Sequence, residues 1–225
     1  MKYRSMIWLI GLLAGIQSAD AAHAEAAWQT LFDGASMSQW RGYGQSRMPD
    51  GWRIENGAMC ACEPARGMDI VSREAYENFV LELEFKIDQG SNSGIMWHVD
   101  ESAGGYPWLT GPEYQLLDDR SADGAEPVHL TGANYDVQSP EMDVFSRAGD
   151  WQTVRIEVRD TAVTHWLNGA KILVYEKGSD AWQARVAESK WAAVDTYGST
   201  DSGHLALQGD HGVVWFRNMR IKRLP

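Results

Sequence analysis

The segment "FVLELEFKID", residues 79–88, constrains the fold of this chain more than any other stretch. Large apolar residues occupy every second position, and Glu82, Glu84, Lys86 and Asp88 lie between them. Successive side chains of a β-strand point to opposite sides of its sheet, so this period of two predicts a strand with one buried face. The two glutamates then belong to a solvated outer face.

Short strands separated by turns fill most of the remaining chain. Asn56-Gly57 and Asn168-Gly169 are hairpin-turn dipeptides that each lie between two strand-like runs. Helical periodicity is confined to residues 179–194. Many short strands with frequent turns are typical of a β-sandwich or jelly roll, so we predict an all-β fold with one short helix or long loops. Because no composition break divides residues 25–225, we expect a single domain there.

Residues 1–24 have the features of a secretory signal peptide. Lys2 and Arg4 precede an apolar run over residues 6–16, and Ala22-His23-Ala24 fits an A-x-A cleavage site, with residues 19–21 as the alternative site. The apolar run is shorter than a bilayer requires, which favours a signal peptide over a membrane anchor. The sequence therefore predicts a mature protein without a membrane span, exported to the periplasm or secreted.

Charge and aromatic content restrict the class of ligand. The formal net charge of the chain is −11, so phosphate backbones would be repelled and nucleic acid is excluded as a partner. A neutral ligand, or a cation held by carboxylates, fits this charge, and no nucleotide cofactor is expected. The chain has 11 tryptophans, whose indole rings offer flat platforms on which sugar rings stack.

The two cysteines, Cys60 and Cys62, lie two residues apart in a strand-like segment. On a regular strand their Cα atoms would be near the upper limit for a disulfide. We therefore predict two reduced thiols on one sheet face. A redox or metal role lacks the usual two-residue spacer and further ligands.

The long segment from Asp100 to Arg147 is predicted to build a functional site over a rigid scaffold. It contains "GPEYQLLDD", in which Glu113 and Gln115 share one face of a short strand. A retaining glycosidase needs two carboxyl groups beside the scissile bond, and here the second position holds an amide. Hydrolysis by paired acids is therefore poorly supported.

Nine motifs occur in the order found in a known family. They are "LFDGASMSQW", "GWRIENGAM", "NFVLELEFKI", "SNSGIMWHV", "GPEYQLLDD", "TGANYD", "GDWQTVRIEV", "HWLNG" and "GHLALQGDHGVVWFRNMRI". In these motifs, from about Trp28 to Leu224, the chain resembles the DUF1080 family of 3-keto-disaccharide hydrolases, also called 3-keto-glucoside 1,2-lyase/3-keto-2-hydroxy-glucal hydratases. The resemblance implies a concanavalin A-like lectin/glucanase jelly roll of two antiparallel sheets. One departure is His98, where many relatives carry Arg.

The resemblance also implies action on a small carbohydrate oxidised to a ketone at carbon 3. The ketone acidifies the proton on carbon 2, so a base can form an enolate and the aglycone can leave by β-elimination. Water then adds, and the net reaction is hydrolysis. Such chemistry needs a base that titrates near working pH, an electrophile for the enolate oxygen, and an acid for the leaving group. Histidine suits the first role, and a divalent cation suits the second.

Alternation places His98 on the opposite strand face from Ile95, Trp97 and Val99. If those three residues pack in the core, His98 faces the concave surface beside Glu113, and this pair could act as base and orienter or as metal ligands. We predict four catalytic residues: His98, Glu113, His211 and Lys190. The predicted metal ligands are His98 and Glu113, and the predicted substrate-binding residues are Gln115, Asp118, Tyr135, Trp97, Trp108 and Gln208.

Two other functions compete with an enzyme. A carbohydrate-binding, lectin-like module could use the same face without turnover, because jelly rolls host both lectins and enzymes. A partner-binding sandwich domain would leave the polar face of "EYQLLDD" unexplained. A lectin needs no base, so the imidazole and carboxyl groups favour catalysis.

Overall fold

Two antiparallel β-sheets contain nearly all the regular structure in residues 27–141 and 146–225, the part of the chain that the computed structural model describes. The predicted signal segment lies outside these residues. The strands in chain order are β1 (Trp28–Phe32), β2 (Trp40–Gly42), β3 (Trp52–Glu55), β4 (Ala58–Ala61), β5 (Ile70–Tyr76), β6 (Phe79–Ile87), β7 (Asn92–Val99), β8 (Glu113–Leu117), β9 (Gln152–Arg159), β10 (Ala162–Leu167), β11 (Ala170–Glu176), β12 (Gly203–Leu207) and β13 (Val214–Arg223).

The eight-stranded sheet has the order β11-β10-β9-β6-β13-β4-β3, with β1 also pairing with β13. The five-stranded sheet has the order β2-β5-β12-β7-β8. Apolar side chains from the two sheets pack into one core, for example Leu81 and Phe85 from β6 with Ile95 and Trp97 from β7. The predicted all-β jelly-roll sandwich is confirmed.

Local sequence signals account for several elements. In β6 the alternating apolar positions are all buried, as predicted. The predicted turns Asn56-Gly57 and Asn168-Gly169 join β3 to β4 and β10 to β11, and all four residues have positive φ, which Asn and Gly tolerate. The helix α1 spans Asp180–Glu188, and the Ser179 side chain caps it by accepting from the Trp182 N–H.

The outer face of the eight-stranded sheet carries ion pairs. Glu82 accepts from Arg155 and Arg220, and Glu84 accepts from Arg217 and Asn218. These contacts confirm that the glutamates of β6 form a solvated outer face. Because their carboxylates are already paired with guanidinium groups, the broad cleft over this face is a poor candidate for acid-base chemistry.

The prediction of two reduced thiols is wrong, because a disulfide joins Cys60 and Cys62. Strand β4 ends at Ala61, so Cys62 is not held in a regular strand and the chain turns after it. The two Cα atoms are 5.1 Å apart, well within the range for a disulfide.

Alternation along β7 breaks at His98. This residue has φ +55°, and opposite it the pairing of β12 shifts register between His204 and Ala206. Such an irregularity rotates the side chains that follow it. Val99 therefore lies with Met96 in a small apolar cluster on the outer side of the five-stranded sheet, while His98 turns away from that side.

None of the helices in residues 27–141 and 146–225 is long and apolar enough to cross a membrane.

Candidate active site

A pocket of about 550 Å³ lies on the outer side of the five-stranded sheet. Its floor is formed where Glu113, the first residue of β8, extends its side chain across the neighbouring strand β7. Gly94 of β7 makes this possible, because a Cβ at that position would lie 1.7 Å from Glu113 Oε1. The sheet therefore places one carboxyl group at the centre of the pocket floor.

The Glu113 carboxyl is held in an environment that favours its neutral form. The residue is only 4% exposed, and burial raises the pKa of its carboxyl to about 8. Nearby Lys190 opposes this rise, and the charge of Asp69 adds to it. Among the residues that the structure describes, none donates a hydrogen bond to this carboxyl. Glu113 can therefore take up and release a proton near neutral pH.

Lys190 lies on the β8 side of the pocket. Its Nζ is 3.8 Å from the centre of the Tyr135 ring and 4.4 Å from that of Trp191. The side chain is exposed overall, but burial of the ammonium against these rings lowers its pKa, while Glu113 and Asp136 act in the opposite direction. Asp136 also accepts from the Lys190 backbone N–H at 2.7 Å, which fixes the segment that carries this cation.

Aromatic rings line one end of the pocket. Trp108 packs against the small cluster that includes Met96 and Val99, on the C-terminal side of Gly94 along β7. Tyr106 stacks on Trp108 with ring centres 5.0 Å apart and planes within 7°, and the Trp191 ring centre lies 5.6 Å from that of Trp108 with the planes tilted by 40°. We call the Tyr106, Trp108 and Trp191 rings the aromatic end.

Polar groups line the opposite end. Asn92 precedes Gly94 by two residues on β7, and its backbone N–H donates to the His211 carbonyl oxygen. His211 Nδ1 donates to the Asp210 carboxylate, and Gln208 lies at the end of β12 with its backbone N–H bonded to Gly94. We call Asn92, Gln208, Asp210 and His211 the polar end. Glu113 lies between the two ends.

An ion pair fixes the loop that carries the aromatic end. Glu101 accepts two hydrogen bonds from the Arg41 guanidinium and one from the Gly44 N–H at 2.7 Å. The Tyr43 hydroxyl donates to the Gly104 carbonyl oxygen at 3.2 Å. These contacts tie residues 101–104 to the turn after β2, just before Tyr106. The bonds from Arg41 lower the pKa of the Glu101 carboxyl, so the pair is ionised at neutral pH.

We expect Arg41→Met to loosen this loop without unfolding the sheets. Hydrogen bonds to charged groups contribute about 1.5–3 kcal/mol, so amide exchange over residues 101–106 should accelerate by about tenfold or more. Hydrogen–deuterium exchange read by mass spectrometry measures this. Arg41→Lys is the matched control, since it keeps the charge and loses the two-pronged geometry, and it should give an intermediate rate. Unchanged exchange in Arg41→Met would show that other contacts hold the loop.

Comparison with known proteins identifies the family. The model of the 3-keto-alpha-glucoside-1,2-lyase-like domain matches residues 27–222. The chain belongs to this family.

Two individual proteins are similar to this chain, in agreement with its family. A Bacteroides thetaiotaomicron protein named 3-keto-disaccharide hydrolase is 29% identical, over 87% of this chain and 78% of its own length. A Parabacteroides distasonis crystal structure, provisionally named a glycosyl hydrolase, is 33% identical with a TM-score of 0.81, covering 88% of this chain and 94% of that one.

The predicted glucanase-type fold is also found among more distant structures. The catalytic domain of an endo-1,3-beta-glucanase from Thermotoga petrophila has a TM-score of 0.50 at 12% identity, covering 87% of this chain and 98% of that one. At this identity the likeness concerns the fold alone.

In this member of the 3-keto-glucoside lyase-like family, six of the predicted site residues lie around one pocket: Trp108, Glu113, Tyr135, Lys190, Gln208 and His211. They come from the segment 100–147, from the chain after α1, and from the end of β12. Burial, with the charge of Glu113 second, raises the pKa of Tyr135 to about 12, so its hydroxyl stays protonated.

The predicted pairing of His98 with Glu113 is wrong. His98 Nε2 donates to the Glu77 carbonyl oxygen at 2.8 Å, and its ring packs edge-on against Phe79 of the other sheet. Burial lowers the pKa of this imidazole. The irregularity at φ +55° therefore turns His98 into the protein interior, away from the pocket that holds Glu113.

Three predicted substrate-binding residues also lie outside the pocket lining. Trp97 is fully buried in the core, with its ring edge-on to His165 at 5.5 Å. Gln115 is buried and its Nε2 donates to Asn92 Oδ1 at 3.2 Å, so it supports a pocket residue. Asp118 accepts from the Gly90 and Arg120 N–H groups and lines a separate surface cleft.

Several residues that line the pocket are not among those predicted from the sequence. Tyr106, Trp191, Asn92 and Asp210 all line the pocket. The signal for Tyr106 and Trp108 was their shared position in "GGYPWLTGP", within the long segment already predicted to build the site. Asp69 was missed as well. Burial, with the charge of Asp210 second, raises its pKa to about 6, and it accepts from the Gly209 N–H beside the polar end.

The residues of this pocket do not fit the predicted divalent-cation site. Its two proposed ligands are separated, because His98 points into the interior. Within residues 27–141 and 146–225, the only group of three His, Cys, Asp or Glu ligands close enough to share an ion is Glu55, Cys60 and Cys62. The two sulfurs of that group are bonded to each other and cannot act as thiolate ligands.

Proposed function

We propose that this protein is a carbohydrate-active enzyme that cleaves 3-keto-glycosides by elimination and hydration, with net hydrolysis of the glycosidic bond. Membership of the 3-keto-alpha-glucoside-1,2-lyase-like family and the similarity to a 3-keto-disaccharide hydrolase support this substrate class. The observation that carries the proposal is the Glu113 carboxyl, which is buried at the centre of a sugar-sized pocket, where burial raises its pKa to about 8.

Glu113 is the proton-transfer group of the proposed reaction. As a carboxylate it takes the acidic proton from carbon 2 of the substrate, and the electron pair of the C–H bond forms an enolate with the carbon 3 ketone. A base whose pKa is close to the working pH combines adequate basicity with an adequate ionised fraction. An ordinary solvated glutamate would be mostly ionised but far less basic.

Groups on the two sides of Glu113 are suited to act on the oxygens of carbon 3 and carbon 1, the two neighbours of carbon 2. At the polar end, the amides of Asn92 and Gln208 can donate to the oxygen on carbon 3, where the enolate charge develops, and the imidazole of His211 lies beside them. Towards the aromatic end, the Lys190 ammonium lies against Trp191 and can protonate or stabilise the oxygen that leaves carbon 1.

Elimination and hydration complete the proposed cycle. When the C1–O bond breaks, the enolate electrons re-form the ketone and a C1=C2 double bond, and the aglycone leaves with one proton. Water then adds across that double bond: its hydroxyl bonds to carbon 1, its released proton restores the Lys190 ammonium, and Glu113 returns its proton to carbon 2. The products are the free aglycone and a 3-keto-sugar.

We also propose that the protein is exported to the periplasm or secreted. The Cys60–Cys62 disulfide supports it, since disulfides persist in oxidising compartments such as the periplasm and the extracellular medium. The lysine- and arginine-led apolar segment at the start of the chain supports it independently.

A direct assay tests the reaction class. The purified protein is incubated with 4-nitrophenyl 3-keto-glucoside and with the unoxidised parent glucoside. We expect nitrophenol to be released from the ketone only, with deuterium from heavy water incorporated at carbon 2 of the 3-keto-sugar. Release from the parent would contradict elimination. Tight binding of the ketone without release would favour the lectin-like module instead.

A further inference from the structure

The aromatic end has an exposed extension that the proposed chemistry does not use. Tyr106 is 58% exposed, which is high for a large aromatic side chain, and it follows the loop anchored by Arg41 and Glu101. One of its ring faces stacks on Trp108. A rigid ring held half in solvent at the mouth of a pocket offers a flat apolar surface at low entropic cost.

The order of groups along β7 indicates which end of the pocket would hold the oxidised ring and which the leaving group. Asn92 and His211 lie on the N-terminal side of Gly94, and Trp108 lies on the C-terminal side, over Met96 and Val99. The Glu113 carboxyl covers Gly94 between them. The oxidised ring has several hydroxyl groups and a ketone that need hydrogen-bond partners, which the polar end supplies and the aromatic end does not.

We propose that the stacked pair of Tyr106 and Trp108 is the leaving-group subsite and selects glycosides whose leaving group presents a flat apolar ring face. This inference rests on the proposed function and assigns specificity to one wall of the same pocket. An aryl group and the C–H face of a pyranose share this chemistry. A methyl group offers no such face.

Tyr106→Ala tests the subsite, and Tyr106→Phe is the matched control because it keeps the ring. The values of kcat/KM are measured for three substrates that share the 3-keto-glucosyl group: the 4-nitrophenyl glucoside, a disaccharide with glucose as leaving group, and the methyl glucoside. We expect Tyr106→Ala to lower kcat/KM about tenfold for the aryl substrate, the disaccharide or both, and to leave the methyl glucoside within about twofold. Tyr106→Phe should match the wild type on all three.

The pattern of losses also shows whether the ring bound by the subsite belongs to an aryl group or to a sugar. A loss confined to the aryl substrate assigns the subsite to aryl aglycones, and a loss confined to the disaccharide assigns it to sugars. An equal loss on all three substrates would overturn the proposal, because it would mean that Tyr106 supports the oxidised ring or the pocket as a whole. No loss on any substrate would overturn it too.

Failure of the proposed function is distinguishable from failure of the subsite. If the wild-type protein cleaves none of the three ketones, binding is measured by isothermal titration calorimetry with the same ligands. Weaker binding of the ring-bearing ligands in Tyr106→Ala, with unchanged binding of the methyl glucoside, would support the subsite although the proposed reaction had failed. Equal binding in both proteins would reject the subsite as well.

Discussion

Replacing Glu113 with glutamine should lower kcat/KM for a 3-keto-glycoside by roughly 1,000-fold, since general acid–base groups contribute about 100- to 10,000-fold. Glutamine keeps the shape and burial of the side chain but cannot accept the proton from carbon 2. The release assay with the 4-nitrophenyl ketone measures the change. Exchange of the carbon 2 proton with heavy water should fall in parallel. A variant that retained more than a tenth of the activity would assign the base to another residue.

The same substitution should stabilise the fold above about pH 5, which separates loss of chemistry from loss of structure. Burial raises the carboxyl pKa from 4.5 to about 8, so at low pH the group is neutral in both the folded and unfolded states. As pH rises through 4.5 the unfolded chain ionises first, and wild-type stability falls until about pH 8. Glu113→Gln avoids this loss, which amounts to roughly 3 kcal/mol at pH 7.

Urea unfolding at pH 4 and pH 8 measures this difference. The two proteins should have similar free energies of unfolding at pH 4, and the glutamine variant should be the more stable at pH 8. If the free energy of unfolding of the wild type instead rose relative to that of the variant between pH 4 and pH 8, the pKa of Glu113 would be lower in the folded than in the unfolded state.

Gly94→Ala should lower kcat/KM about 100-fold although residue 94 contributes no functional group. The new Cβ would fall 1.7 Å from Glu113 Oε1 and 2.5 Å from its carboxyl carbon, so the carboxyl must leave the pocket floor. Displacement of a reacting group by about 1 Å can cost this much. Gly94 does not have a positive φ, so alanine fits the backbone and β7 should persist.

A double-mutant cycle tests whether Gly94→Ala acts through the carboxyl. In the Glu113→Gln background, Gly94→Ala should lower the residual activity by less than about threefold, because the group it displaces is already inactive. A full 100-fold loss in both backgrounds would show that the methyl group blocks the substrate directly. Far-ultraviolet circular dichroism and thermal unfolding establish that both variants fold.

Local periodicity was sufficient to predict the scaffold. The strand β6 and the Asn-Gly hairpins depend on side-chain alternation and turn chemistry, which neighbouring residues determine. The position of Glu113 on a pocket-facing strand was predictable for the same reason. The segment 100–147 was recognised as site-building by its length, and it supplies Tyr106, Trp108, Glu113 and Tyr135.

The misplacement of His98 and the missed role of Gly94 share one physical origin, since each depends on residues distant in sequence. His98 was misplaced because the irregularity in β7 is visible only with its partner strand β12, about 100 residues later. The role of Gly94 requires knowledge of which side chain crosses it from β8. The disulfide depends on where β4 ends. None of these features leaves a signature in the local alternation.

The ring stack described for the pocket wall continues beyond it. Trp191 stacks on Tyr197 at 5.0 Å, and Tyr197 stacks on Trp182 of α1 at 5.8 Å. Ring contacts therefore run from the solvent-exposed Tyr106 to the helix, with a 40° tilt between Trp108 and Trp191. Close-packed interiors transmit strain, so a change in one of these rings affects the packing of the next. A substitution at Trp182, which does not line the pocket, is therefore a way to alter the packing of Trp191, which does.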